Sequence, residues 1–179
     1  MIYNEKNILE IYNNNIIEAK NKLKELSFYC QKEVKFKGLT GWVFEQTIQK
    51  CISEEFMQLN NDYIIDEQFK LSNLSEKKKS RGEVDLIINN ENRNVLIEIK
   101  YSGFYNRNSE TTYQKYFNII NEYNLNNENK YYYIFLSGKE SYYRYKGISK
   151  KVFGENNVFY LDEKNSWKMF TDKIVKLLG

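Results

Sequence analysis

The 179-residue chain contains no proline and no histidine. Without proline, every turn falls to Gly, Asn, Asp or Ser, and helix ends have to be read from those residues. Without histidine, an imidazole general base, a Ser-His-Asp triad and a His-ligated zinc site are all excluded. Cysteine is scarce as well: Cys30 and Cys51 are too few for a disulfide framework or a structural zinc site of about four ligands. Both are expected to be reduced and buried. No apolar run approaches the roughly 20 residues that cross a bilayer, and Met1-Ile2-Tyr3-Asn4-Glu5-Lys6 is not followed by the apolar segment of a signal peptide. The expected location is cytoplasmic, with no membrane partner. Carboxylates, lysines and tyrosines are left to carry any chemistry.

What is present has the balance of a folded globular protein: 41% hydrophobic, 16% aromatic and 28% charged residues. The length suits one domain over residues 1–179. A net charge of +3 is compatible with a polyanionic partner without requiring one. Tracts such as Asn13-Asn14-Asn15 and Tyr131-Tyr132-Tyr133 look like codon bias and carry little functional weight. There is no internal repeat and no linker.

Ile8, Ile11, Tyr12, Ile16, Leu23 and Leu26 predict an amphipathic helix over about residues 5 to 27. Beyond Gly38, Thr40 is the expected N-cap of a second helix running to about residue 58, with Phe44, Ile48, Cys51, Ile52 and Phe56 as its apolar stripe. Residues 63–69 read as a strand and 72–81 as a loop. Residues 83–88 and 94–100 then form a hairpin around the turn-forming Asn89-Asn90-Glu91-Asn92-Arg93. Tyr113, Tyr116, Phe117, Ile120 and Tyr123 mark a third helix, and residues 131–136 and 158–161 two further strands. Trp167, Phe170, Ile174, Leu177 and Leu178 mark a terminal helix. The helix stripes, Trp42, Trp167 and Phe170 included, are assigned to the core. This order predicts an α/β fold with a mixed central β-sheet flanked by helices.

Alternation along the hairpin puts Glu83 and Asp85 on one face of its first strand and Glu98 and Lys100 on one face of its second. Val84, Leu86, Ile97 and Ile99 take the other face. Strands this apolar belong inside the sheet, where an unpaired charge costs several kcal/mol. A hard divalent cation would compensate such acids, because Mg²⁺ prefers oxygen ligands and is held by one or two carboxylates together with waters and substrate phosphate. A purely structural acid cluster has no need of Lys100. The plain alternative is a hairpin with a Glu98-Lys100 surface pair worth about a few tenths of a kcal/mol.

Asp85 followed by Glu98-Ile99-Lys100, after a helix bearing Glu45, resembles the PD-(D/E)XK nuclease superfamily, the restriction-endonuclease-like fold. The resemblance spans roughly residues 40 to 136, where the order helix, three strands, helix, strand matches that superfamily's core. It implies that Asp85 and Glu98 bind one or two Mg²⁺ ions, for which Mn²⁺ substitutes. It also implies that the Ile99 carbonyl adds a ligand, that Lys100 orients or deprotonates the attacking water, and that Glu45 completes the site. On this basis residues 1–39 are an N-terminal helical extension, 40–136 the catalytic core and 137–179 a C-terminal strand and helix. Two positions depart from the pattern: Val84 replaces the motif's proline, and Gln114 is followed by Asn118 where some branches place a tyrosine. Glu83 is an extra acid, either a spare ligand or a partner of Arg81 or the lysine run before it.

Lys77, Lys78, Lys79 and Arg81 read either as a solvated loop or as contacts to a phosphate backbone. Arg107, in the connection 103–109, and Gln114 are further candidates to touch substrate, and Tyr142-Tyr143-Arg144-Tyr145-Lys146 mixes aromatics with cations. The resemblance implies a Mg²⁺-dependent endonuclease acting on nucleic acid, DNA rather than RNA, restriction-like or structure-specific in the manner of junction resolvases. Two strands need two active sites, so a homodimer is expected. The alternatives are an RNA endonuclease of the cap-snatching type and a catalytically inactive nucleic-acid-binding member of the fold.

Overall fold

The computed structural model describes residues 2–59, 62–75, 82–102, 107–141 and 146–179. Helix α1 (Glu5–Tyr29) starts at a capping box in which the Asn4 and Asn7 side chains each accept the other's backbone N–H, at 3.0 and 2.8 Å. Helix α2 (Leu39–Leu59) packs antiparallel fashion against it through the Phe44, Ile48, Ile52 and Phe56 stripe. Strands β1 (Ile64–Lys70), β2 (Glu83–Asn90) and β3 (Arg93–Lys100) form an antiparallel meander. Strands β4 (Lys130–Ser137) and β5 (Val158–Tyr160) then join in parallel, each after a helical crossover, α3 (Arg107–Asn126) and α4 (Ile148–Phe153) respectively. Helix α5 (Ser166–Leu178) closes the chain. The sheet order is β1-β2-β3-β4-β5.

The molecule is thus α/β, a five-stranded mixed sheet between helices. One core joins α1, α2 and α5 to the face carrying Leu86, Ile88, Ile97 and Ile99. The other lies under α3, α4 and a short 3₁₀ turn at Leu71–Leu74, on the face carrying Leu96 and Phe135. Strand β3 is central and buried on both faces, which is why its sequence is almost continuously apolar. No described helix is long and apolar enough to cross a membrane.

Several expectations are corrected. Trp42 is 51% exposed, because it lies on the outer side of the first turn of α2. Thr40 lies inside α2; the chain reverses instead at Gly38, whose positive φ of 84° suits glycine and whose carbonyl accepts the Trp42 N–H at 3.0 Å. Cys51 is buried but Cys30, at the C-terminal cap of α1, is exposed; both are free thiols. The hairpin turn contracts to Glu91-Asn92, with Glu91 at φ 48°. Helix α4 was not anticipated, its six residues being too short to display a period.

The most consequential correction concerns Val84. It belongs to the α3/α4 core while Leu86, two residues on, belongs to the opposite one. The β1–β2 register shows why: Glu67 pairs with Leu86 and Phe69 with Val84, but Gln68 and Asp85 between them do not pair. Gln68 is left-handed at φ 57°. Strict alternation fails at this irregularity, and Asp85 is re-aimed by it.

Candidate active site

Asp85 and the end of β3 form a single hydrogen-bonded cluster. The β2–β3 ladder stops at the Leu86–Ile97 pair, and the Ile99 N–H donates instead to Asp85 Oδ2 at 2.7 Å. A side chain thereby takes a place in the ladder. The Asp85 carbonyl, released from β1, accepts from Gln49 Nε2 of α2 at 3.0 Å. Gln49 is itself buried and accepts from Gln46 at 2.8 Å. Asp85 is therefore held at both its side chain and its backbone.

Lys100 occupies the centre. Its ammonium lies 3.0 Å from Asp85 Oδ2, 2.6 Å from Glu98 Oε1 and 3.0 Å from the Ile99 carbonyl oxygen. Glu98 is only 4% exposed. Its remaining acceptor capacity is met by two tyrosine hydroxyls, Tyr113 of α3 donating to Oε1 at 2.6 Å and Tyr133 of β4 to Oε2 at 3.0 Å. Three charge-assisted or hydroxyl donors around one buried carboxylate are what such burial demands.

The electrostatics follow from this packing. Burial pushes Glu98 up, against the pull of the Lys100 ammonium. Burial opposes charge on Lys100, but the Glu98 and Asp85 carboxylates outweigh it and raise its affinity for the proton. Burial and then the neighbouring Glu98 carboxylate raise Tyr113 and Tyr133, so both remain hydroxyl donors. Glu45, half-buried on α2 one turn before Gln49, is pushed up to about 7 by burial and then by the negative charge of Asp85.

The structure thus brings together Asp85, Glu98, the Ile99 carbonyl and Lys100, with Glu45 facing their charges. Glu83 is exposed and opposite Lys70 in the register, and Gln114 lies on the exposed side of α3. Lys77, Lys78, Lys79 and Arg81 lie outside the described residues, as do the side chain of Arg107 and residues 142–145. Sequence reasoning missed Tyr113, Tyr133 and Gln49. Tyr113 was hidden in a helix stripe, and Tyr133 in a tyrosine tract set aside as compositional. The signal that finds Tyr133 is a polar-tipped residue at the start of an apolar strand run, beside a strand that carries an acid.

Among the described residues, no group of three or more acid, histidine or cysteine side chains is assembled that could hold a metal ion by itself. The donor set nonetheless suits a hard cation sharing its shell with water and substrate: two carboxylates and a carbonyl already converge on one cationic atom, Lys100 Nζ. Comparison of the chain with protein-family models, with curated proteins and with solved structures found no match.

Proposed function

We propose that the protein is a metal-dependent nuclease of the restriction-endonuclease-like fold, hydrolysing phosphodiester bonds in nucleic acid, DNA in preference to RNA. One observation carries the reading: the oxygens of Asp85, Glu98 and Ile99 enclose a single cation position at the carboxyl end of a central strand. Open α/β sheets characteristically bind ligands at that end. The unpaired cysteines suit an intracellular enzyme, and two active sites for two strands suit a homodimer.

Asp85, Glu98 and the Ile99 carbonyl would hold Mg²⁺ or Mn²⁺, and Glu45, within electrostatic reach of Asp85 and Glu98, would add negative charge on the α2 side. When bound, such an ion stabilises charge developing on the phosphate and lowers the pKa of water. Lys100 supplies a fixed positive charge beside the scissile phosphate and orients the nucleophile. Tyr113 and Tyr133 hold the Glu98 carboxylate in one orientation, and Gln49 fixes the backbone that presents Asp85.

A second reading, a catalytically inactive nucleic-acid binder, is favoured by the completeness of the Lys100 and tyrosine partners around Glu98, which leaves that acid satisfied without an added cation. Plasmid, single-stranded DNA, a four-way junction and structured RNA should be incubated with Mg²⁺, Mn²⁺ or EDTA, using the parent, Asp85→Ala and Lys100→Ala. The nuclease reading expects metal-dependent cutting that both substitutions abolish. A parent that cuts nothing, and whose melting temperature Mg²⁺ leaves unchanged, is the inactive binder.

A further inference from the structure

The outer end of the α1–α2 hairpin exposes four large aromatic side chains within a short stretch: Phe28 at 82%, Tyr29 at 80%, Phe36 at 51% and Trp42 at 51%. Phe and Trp are ordinarily drawn inward, and a run of this kind marks an interaction surface. The rings are paired with each other, Phe28 with Tyr29 at 6.0 Å and Phe36 with Trp42 at 5.8 Å between centroids. The loop joining them is tied down: the Val34 N–H donates to Ser27 Oγ at 2.9 Å, and Ser27 Oγ donates to the Leu23 carbonyl at 2.8 Å. Both pairs therefore sit at one end of the hairpin.

The same stretch concentrates charge. Residues 18–42 hold six lysines, all exposed, against three glutamates, which accounts for the whole net charge of +3 and leaves the rest of the chain balanced. Lys32, Lys35 and Lys37 lie in sequence between Tyr29 and Trp42, Lys35 and Lys37 on either side of Phe36, with the Lys35 ammonium 2.8 Å from the exposed Glu33 carboxylate. The surface also leads toward the acid cluster. Trp42 precedes Glu45 by three residues on α2, so the two are neighbours on that helix. The groove between α1 and α2 is lined by Trp42, Gln46, Lys50, Glu67 and the Lys22–Glu18 ion pair (2.6 Å), and the charge of Glu67 is felt by Glu45.

We propose that this surface binds a single-stranded nucleic acid segment, stacking bases on Trp42, Phe36, Phe28 and Tyr29 and holding the backbone with Lys32, Lys35 and Lys37. Unstacked bases present faces to exposed rings, whereas a duplex hides them, and the excess of lysine at this end suits a phosphate backbone, whereas it offers nothing to an apolar peptide and repels a second copy of the same positively charged end. The purpose assigned to the surface, delivering a strand to the acid cluster, rests on the nuclease reading; the binding itself does not.

The test uses the full chain in EDTA, so that binding is separated from cleavage. Trp167 is fully buried and Trp42 is not, so a change in tryptophan emission on adding a dT or U 20-mer reports on Trp42. Quenching is expected, absent in Trp42→Phe. In anisotropy with a labelled oligonucleotide, Trp42→Ala should weaken binding by about tenfold or more while Trp42→Phe keeps most of it. Lys35→Gln with Lys37→Gln should flatten the dependence of log K on log salt by about 1.4. The 20-mer should also slow maleimide labelling of Cys30, the exposed thiol. Oligonucleotide binding unchanged in Trp42→Ala would overturn the proposal, as would a dimer in sedimentation that Trp42→Ala converts to monomer. Trp42-dependent binding without any metal-dependent cutting overturns the nuclease reading and leaves this one standing. Cutting lost in Asp85→Ala, with binding indifferent to Trp42, does the reverse.

Discussion

Asp85 Oδ2 accepts the backbone N–H of Ile99 at 2.7 Å, which makes an acid of β2 a structural member of β3's edge. The bond separates two effects that most substitutions would confound. Asp85→Asn can still present an oxygen to Ile99, so its urea midpoint should move little, whereas Asp85→Ala strands a buried N–H and should lose about 1–3 kcal/mol. Both should lose the Mg²⁺-dependent rise in melting temperature that the nuclease reading requires. An Asp85→Asn protein that still gains stability from Mg²⁺ would remove Asp85 from the metal site.

Lys100 balances two acids, one of them almost wholly buried. Lys100→Met leaves Glu98 and Asp85 facing each other and should destabilise by about 3 kcal/mol or more at pH 8. Buried Glu98, already pushed up by desolvation, then resists ionisation more strongly, so the native state retains a proton that the unfolded chain has released, and stability is lost as pH rises through its raised native value. The deficit relative to the parent should therefore shrink toward pH 4. A deficit equal at pH 4 and pH 8 would mean that the loss is packing of the lysine stem alone.

For Glu45 the native value of about 7 exceeds the ordinary carboxyl value near 4.3. Its contribution is complete below about pH 4 and is lost as pH climbs to 7 and beyond. Removing the charge with Glu45→Gln should thus stabilise the protein at pH 8 by about 1 kcal/mol, a figure discounted for the half of the side chain that water reaches, and do nothing favourable at pH 4. Urea denaturation at pH 4, 6 and 8 measures it. A parent-to-variant difference that stays flat across that range contradicts the assignment.

Gly138 follows β4 and closes the site's edge, its N–H donating to the Lys100 carbonyl at 3.0 Å. A Cβ there would lie 2.6 Å from the Tyr101 carbonyl oxygen and 3.0 Å from the buried Phe44 ring. Gly138→Ala should cost about 2 kcal/mol or more. Gly41→Ala, inside α2 with nothing within 4 Å of the new methyl, should be neutral or stabilise by up to about 1 kcal/mol. Equal melting temperatures for the two variants would refute the crowding at Gly138.

The order of elements was legible because the apolar stripes of α2, α3 and α5 are long and the β2–β3 hairpin is bounded by asparagine. Acids in strands otherwise made of Val, Leu and Ile pointed to Asp85, Glu98 and Lys100 for a physical reason: such charges require partners. Other features depend on distant contacts that no local pattern records. Val84 changes face because Gln68, on another strand, adopts a left-handed backbone. Tyr113 and Tyr133 look like core residues until Glu98 is placed between their hydroxyls.

The Gln68 irregularity has an effect on the opposite side of its strand. β1 and β5 are the outermost strands of the sheet, and β5 is only three residues long, so β1 is the longer open border. A regular seven-residue border with free N–H and C=O groups is a template for a strand from another molecule. The left-handed residue interrupts that row, and Asp66, Glu67 and Lys70 flank the break with charge. The distortion that aims Asp85 inward also blunts self-association in crowded solution, so replacing Gln68 with a β-branched residue that favours extended backbone would put solubility at risk together with the site.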